Sequence, residues 1–218
     1  MTGTKKPNIP PEIARVADGL KKAGFATYFV GGCVRDILLG KKPKDWDVTT
    51  NARPDKIMEI FPDSFYENKF GTVGVKVEAE KGKTEIVEVT AFRKEGRYSD
   101  FRRPDEIQFA ETIEEDLARR DFTVNALALS FSERGSPEII DPFHGRDDLK
   151  NKIIRAVGDP RERFGEDALR LMRAVRFACQ LNFTIADETA RAIKEKAGLL
   201  EAISKERIRD ELQKIVTS

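Results

Sequence analysis

FVGGCVRDILLGKKPKDWDVTTNA, from Phe29 to Ala52, holds two glycines, an Arg-Asp pair and an Asp-x-Asp triplet in one short run. Apolar residues before the glycines predict a strand over Ala26–Val30, and Val34–Leu39 reads as a short helix with Gly40 just past its end. Asp45–Thr49 then reads as a second strand. Side chains alternate along a strand, so Asp45 and Asp47 are expected on one face, their α-carbons about 7 Å apart. Two convergent anions repel unless a cation lies between them. Carboxylate oxygens suit Mg²⁺, which takes one or two acids and fills its shell with water and substrate phosphates. Two such ions, about 3.5–4 Å apart, activate an attacking hydroxyl and neutralise a leaving pyrophosphate. Taken alone, an Asp-x-Asp also fits a pair of exposed turn aspartates.

The residues upstream narrow the choice. Gly31-Gly32 lets backbone approach a ligand closely, and it precedes a helix whose first amides can meet phosphate. Arg35 is expected on the first turn of that helix, where a cation is unfavourable unless an anion joins it. Neither GxxxxGK[ST] nor GxGxxG is present, so this is not a P-loop or a dinucleotide fingerprint. Glycines, an arginine and a two-acid strand fit a triphosphate grip followed by metal ligands.

Outward from this run, the first two-thirds of the chain alternates strand and helix signals and the last third is helical. Ile13–Lys22 is amphipathic and ends at Gly24, and Pro54 opens a further helix. Val73, Val75 and Val77, then Val87 and Val89, predict an antiparallel pair around Lys81-Gly82-Lys83. Thr112 and Glu115 form a capping box. Ala126–Phe131 and Glu138–Ile140 are further strands, and Phe164–Leu181, Glu188–Ala197 and Lys205–Val216 are helices. The class expected is α+β. Residues 1–24 form a tail and helix, 25–158 a mixed-sheet head and 159–218 an all-helical neck, with a soft boundary at Gly158-Asp159-Pro160.

Composition excludes several functions. The chain has 218 residues, 35% of them charged, and a net charge of only +1, so no strong long-range pull on nucleic acid is expected. Arginines are unevenly placed, clustering at Arg93–Arg103 and again at Arg155–Arg176; such runs are commonly solvated faces. One histidine, His144, excludes a multi-histidine metal site, and it reads as part of a turn. Two distant cysteines, Cys33 and Cys179, fit free thiols in a reducing cytoplasm. No apolar run approaches the roughly 20 residues of a membrane span, and the first residues carry no secretory h-region.

GGCVRDILLGKKPKDWDVTT resembles the signature of class II tRNA nucleotidyltransferases and the related bacterial poly(A) polymerases, within the polymerase β-like nucleotidyltransferase superfamily. RRDFTVNALAL (Arg119–Leu129) is similar to the family's second motif, DPFHGRDDLKNKIIRAVGDP to the third, EDALRLMRAVRFA (Glu166–Ala178) to the fourth and RIRDELQKI to the fifth. The resemblance implies a polymerase β-like head with a helical neck, and Mg²⁺-dependent, template-independent addition of CMP and AMP, from CTP and ATP, to a tRNA 3′ end. Carried over by residue, it makes Asp45 and Asp47 the catalytic metal ligands. Gly32, Arg35 and Arg120 contact the nucleotide, and Asp167, Arg170, Arg173 and Arg176 line its pocket. Glu88, on a neighbouring strand, is a candidate third acidic ligand.

KFGTVGVKVE (Lys69–Glu78) looks like CCA-adding and A-adding enzymes, whereas poly(A) polymerases are more arginine-rich there. FRKEGRYSDFRRPDEIQF (Phe92–Phe109) resembles the loop tied to terminal adenosine addition, so deleting its core is expected to impair ATP incorporation more than CTP incorporation. The family's C-terminal body and tail regions, which hold tRNA, are absent after the fifth motif; metal and nucleotide chemistry are expected without them. The expected setting is the cytoplasm.

On the fourth motif, at about 100° per residue, Ala168, Leu171, Met172, Val175 and Ala178 gather on one side. Asp167, Arg170, Arg173 and Arg176 spread over the other, and Asp167 and Arg170 are placed for an i,i+3 ion pair that would present a carboxylate and a fork of donors to a base edge. The rival readings are a poly(A) polymerase and a non-catalytic nucleotide- or RNA-binding module of the same fold.

Overall fold

The structure is a computed structural model and describes residues 7–68, 71–78, 83–94, 108–132 and 135–217. By their contacts they form two compact units. The first takes the chain up to Lys94 with Phe109–Leu117 and Leu127–Asp141; the second takes Ala118–Ala126 and the chain from Pro142 onward.

The first unit is built on strands β1 (Thr27–Val30), β2 (Asp47–Thr50), β3 (Ser64–Asn68), β4 (Thr72–Glu78) and β5 (Thr84–Ala91), with helices α1 (Pro11–Lys22), α2 (Gly32–Leu38) and α3 (Pro54–Ile60) between them. Two short strands, β6 (Arg93–Lys94) and β7 (Gln108–Phe109), precede α4 (Ile113–Ala118), β8 (Ala128–Phe131) and β9 (Pro137–Ile140). The main sheet is seven-stranded, ordered β3-β4-β5-β2-β1-β8-β9. Only β2 and β5 pair in parallel, so the sheet is mixed as expected.

Register explains the core. Leu129, Phe29, Val48, Val89 and Val73 stand level across five strands, and each is at most 3% exposed. This face is covered by α1, which buries Ile13, Val16, Ala17 and Leu20, and by α3, which buries Ile57. Close packing there needs Gly19, since a Cβ would lie 2.8 Å from Phe61 Cζ. The capping box forms as expected: the Glu115 amide donates to Thr112 Oγ1 and the Thr112 amide to Glu115 Oε2, each at 3.4 Å.

The second unit holds α5 (Gly145–Asn151), β10 (Ile153–Ile154), α6 (Pro160–Glu166), α7 (Leu169–Leu181), β11 (Thr184–Ile185), α8 (Asp187–Lys196) and α9 (Lys205–Val216). One parallel pairing of two-residue strands, β10 with β11, interrupts an otherwise helical tail. The division between units is not the linear one expected near Gly158. Ala118–Ala126 joins the second unit because the Thr123 amide donates to Arg155 O at 2.9 Å and the Val157 amide to Asp121 O at 3.1 Å. Beneath them the buried Asp148 carboxylate accepts from Thr123 Oγ1 at 2.7 Å and Arg155 Nε at 3.0 Å. Among the described residues no helix is long and apolar enough to cross a membrane.

Candidate active site

Asp47 opens β2, but Asp45 does not belong to the strand as expected; it lies in the bend before it. Alternation therefore sets only the Asp47 side chain. The segment is held instead by Trp46, whose ring meets Phe29 edge-on with centroids 5.5 Å apart on the core side. Asp47 is level with Val30 of β1. Because Val48 pairs with Val89, Asp47 is also level with Glu88 of β5.

Asp45, Asp47 and Glu88 are exposed, and the Glu88 carboxyl is held above its usual range. Burial is the largest cause, followed by the charges of Glu67, Asp47 and Asp45. The part of that rise due to the three anions marks a place where a cation is favoured. Among the described residues no three such side chains close into a ligand cage; two acids on an open face suit an ion that shares its shell with water and phosphate.

After β1, Gly31 turns the chain with φ 73° and ψ −134°, a region in which a side chain is strained. Arg35 is the fourth residue of the seven-residue α2 and folds back over Gly32, where a Cβ would lie 3.5 Å from its Nη2. An anion does join the cation, from the neighbouring residue: the Arg35 guanidinium meets Asp36 at 2.8 Å. The loop core, residues 95–107, lies outside the described residues. Its ends are tied, with the Ala110 amide donating to Phe92 O at 2.9 Å and the Arg93 amide to Asp116 Oδ1 at 3.2 Å.

In the second unit the neck arginines are placed differently from the helical-wheel expectation. The buried stripe of α7 is Leu171, Ala174 and Phe177, while Val175 is 38% exposed. The arginines flank that stripe, and Arg173 and Arg176 lie over the Phe177 ring at 5.3 and 4.2 Å. The expected Asp167–Arg170 pair gives way to other partners. Asp167 has extended backbone between α6 and α7, accepts from the Leu169 amide at 3.1 Å and pairs with Arg207 of α9 at 3.3 Å. Arg170 pairs with Glu166 and donates to the carbonyls of Arg163 at 3.0 Å and Arg119 at 3.1 Å.

Arg173 donates through Nε to Asp121 Oδ2 at 2.8 Å, and Arg176 pairs with the buried Glu211. Burial alone would raise the Asp121 carboxyl, yet the charge and hydrogen bonds of Arg173, with the Arg170 charge and the Phe122 amide, hold it below the usual carboxylate range. Arg120 is half-buried in the same unit, just after α4. Sequence reading missed Arg207, Asp121 and Glu211 as partners. The usable signal was the one-turn spacing of Arg207 and Glu211, which puts both on one face of α9.

The chain matches the family described as the poly A polymerase head domain over residues 27–155. It also matches the family described as the probable RNA and SrmB-binding site of polymerase A over residues 182–218. It is 50% identical over 214 residues to the CCA-adding enzyme of Enterococcus faecalis, covering 98% of this chain and 50% of that protein. With the CCA-adding enzyme of Lactobacillus helveticus the identity is 48% over 212 residues, covering 97% of this chain and 51% of that protein. The chain thus spans about half the length of the curated relatives it matches. In three dimensions it resembles the Bacillus stearothermophilus CCA-adding enzyme in complex with CTP, with TM-score 0.80 and 44% identity over 95% of this chain and 49% of that one. Sheet order, motif placement and these likenesses agree: the chain belongs to the poly A polymerase head-domain family, within the class II nucleotidyltransferases that include the CCA-adding enzymes.

Proposed function

We propose that this chain adds CMP and AMP, taken from CTP and ATP, to the 3′ end of tRNA, with Mg²⁺ held by Asp45 and Asp47. The observation that carries this reading is that Asp47 and Glu88 stand level on an open sheet face, one step before the Val48–Val89 pair of the parallel strands β2 and β5. The names of the relatives, CCA-adding enzymes at up to half identity, support CCA addition over poly(A) addition. Cys33 and Cys179, neither in a disulfide, fit a cytoplasmic setting.

In the reaction, the RNA 3′-oxygen forms a bond to the α-phosphorus of the nucleotide. The bond from that phosphorus to the bridging oxygen breaks, its electron pair leaves with pyrophosphate, and the hydroxyl proton passes to solvent. Bound Mg²⁺ supplies activation of the hydroxyl and neutralisation of the leaving group. Gly32 and Arg35, with Arg120, position the triphosphate. Asp167 presents an acceptor to the base edge, and Arg170 turns its forked donors to that edge in exchange for its bonds to Glu166 and the carbonyls of Arg163 and Arg119. Arg173 and Arg176 line the pocket as braces, their charges spent on Asp121 and Glu211.

The direct test incubates the chain with Mg²⁺ and a tRNA transcript lacking its 3′ CCA, offering CTP, ATP or both. Addition of C, C and A is expected; a long A tail identifies a poly(A) polymerase, and no addition to any primer leaves a binding module. A second expectation concerns nucleotide choice. Since Arg207 poses Asp167, Arg170→Ala leaves the acceptor in place and removes the donors, together with their bonds to Glu166 and the carbonyls of Arg163 and Arg119. Discrimination against UTP and GTP should then fall by roughly 1–3 kcal/mol per lost contact, read as kcat/KM for all four nucleotides on one primer. Equal losses with every nucleotide would make Arg170 a structural residue.

A further inference from the structure

The sheet face that carries Asp47 is not the same on its two sides. Toward β1 stand Val30 and, directly after it, the Gly31–Gly32 turn with Arg35 folded over Gly32. Toward the other edge, Glu88 is level with Gly74 of β4, and Gly74 with Phe65 of β3. Ile86, two residues before Glu88, shares that face. Gly74 contributes no side chain, and the Phe65 ring lies across it: a Cβ there would meet Phe65 Cζ at 2.6 Å and Ile86 Cγ2 at 3.1 Å. Ile86 is 56% exposed and Phe65 is half-buried. An aromatic ring and a bare isoleucine thus form an open apolar surface beside the carboxylates. The valine layer lies on the opposite face, and burial on this one is at Val30, Thr49 and Thr72, away from Ile86.

We propose that Phe65 and Ile86 form the platform on which the 3′-terminal base of the RNA primer stacks while its 3′-hydroxyl faces Asp47; this rests on the nucleotidyl-transfer reading above. In an in-line displacement the attacking oxygen and the leaving pyrophosphate lie on opposite sides of the α-phosphorus. The triphosphate grip is on the β1 side, so the primer approaches from the side of β5, β4 and β3. Strands are about 4.8 Å apart, which puts the Gly74 column one strand from Glu88 and two from Asp47, within the reach of a single nucleotide. Glu67 and Glu88 border the platform and repel phosphate, so the group seated there is a base and not backbone. Every base has a π-face, and a platform of this kind accepts a growing 3′ end whatever its last residue.

The experiment uses the full chain, Mg²⁺, CTP and a tRNA transcript lacking its 3′ CCA, with KM measured separately for primer and for CTP. Wild type comes first: if it incorporates no CMP, the nucleotidyl-transfer reading fails, and the platform with it. Given wild-type activity, Phe65→Leu keeps apolar cover over Gly74 but has no π-face, and is expected to raise the primer KM about tenfold. Ile86→Thr, at an exposed position that tolerates a β-branched residue, should raise it several-fold. In both, KM for CTP is expected to stay within twofold. Phe65→Trp is expected to return the primer KM to the wild-type value or below. The proposal is overturned if Phe65→Leu leaves the primer KM unchanged, if both KM values move together, or if the tryptophan variant is as impaired as the leucine one. That last pattern would make Phe65 a space-filler over Gly74.

Discussion

Asp47→Asn is expected to reduce nucleotide addition by on the order of a thousandfold or more, equivalent to about 4 kcal/mol of lost transition-state stabilisation, while the protein stays folded. The amide keeps the size of the carboxylate at the head of β2 and removes one anion from the group that raises Glu88. Stability without metal should therefore hold or rise slightly, since repulsion among Asp45, Asp47, Glu67 and Glu88 is relieved. On the proposed reaction, what is lost is a ligand that brings the cation to the reacting hydroxyl. The pair of measurements is single-turnover CMP incorporation with Mg²⁺ and urea unfolding without it. Near wild-type incorporation would remove Asp47 from the metal site, and a large drop in stability would make it a structural residue.

Arg173→Met is expected to destabilise the protein by about 3 kcal/mol at neutral pH. Methionine preserves the apolar stem that lies near Phe177 but leaves the Asp121 carboxylate, 8% exposed, without its cation. Removing one partner of a buried pair costs roughly 3–5 kcal/mol, and the lower end applies because Arg173 is itself about one-third open to water.

The pH dependence has a definite sign. In the wild type the Asp121 carboxyl is below its unfolded value of about 3.9, so its contribution is complete above that value and is lost as pH falls through the lowered folded value. In the variant, burial acts unopposed by Arg173 and raises the carboxyl, so the deficit shrinks toward acid as Asp121 takes up a proton. Urea unfolding of both proteins at pH 7 and near pH 4 measures this; a deficit equal at both would assign the loss to packing.

Much of this was legible in the chain. Strand, glycine turn, helix and strand around Phe29–Ala52 formed nearly as read, with Gly40 past the end of α2 at φ 70°. The alternating valines became β4 and β5, and Thr112 and Glu115 capped α4. Such features rest on interactions within a few residues, so propensity, capping and periodicity are enough to specify them. The same local rules put Asp45 in a strand that begins only at Asp47. They also put Val175 in the α7 core, where three-residue spacing from Leu171 through Ala174 to Phe177 prevails.

By itself, then, the sequence determined the α+β class, the order of elements and the residue types of the site. Tertiary structure alone decided the partners. Arg173 meets Asp121 across 52 positions, Arg207 meets Asp167 across 40 and Arg176 meets Glu211 across 35. Asp47 and Glu88 come level only because β2 and β5 pair in parallel, and the Phe65 ring lies across β4 only because Gly74 leaves room for it. Helical spacing made Arg170 a plausible partner for Asp167. An ion pair forms, however, where two packed faces bring opposite charges together with the least desolvation, and that is a property of the packed chain that neighbouring residues do not encode.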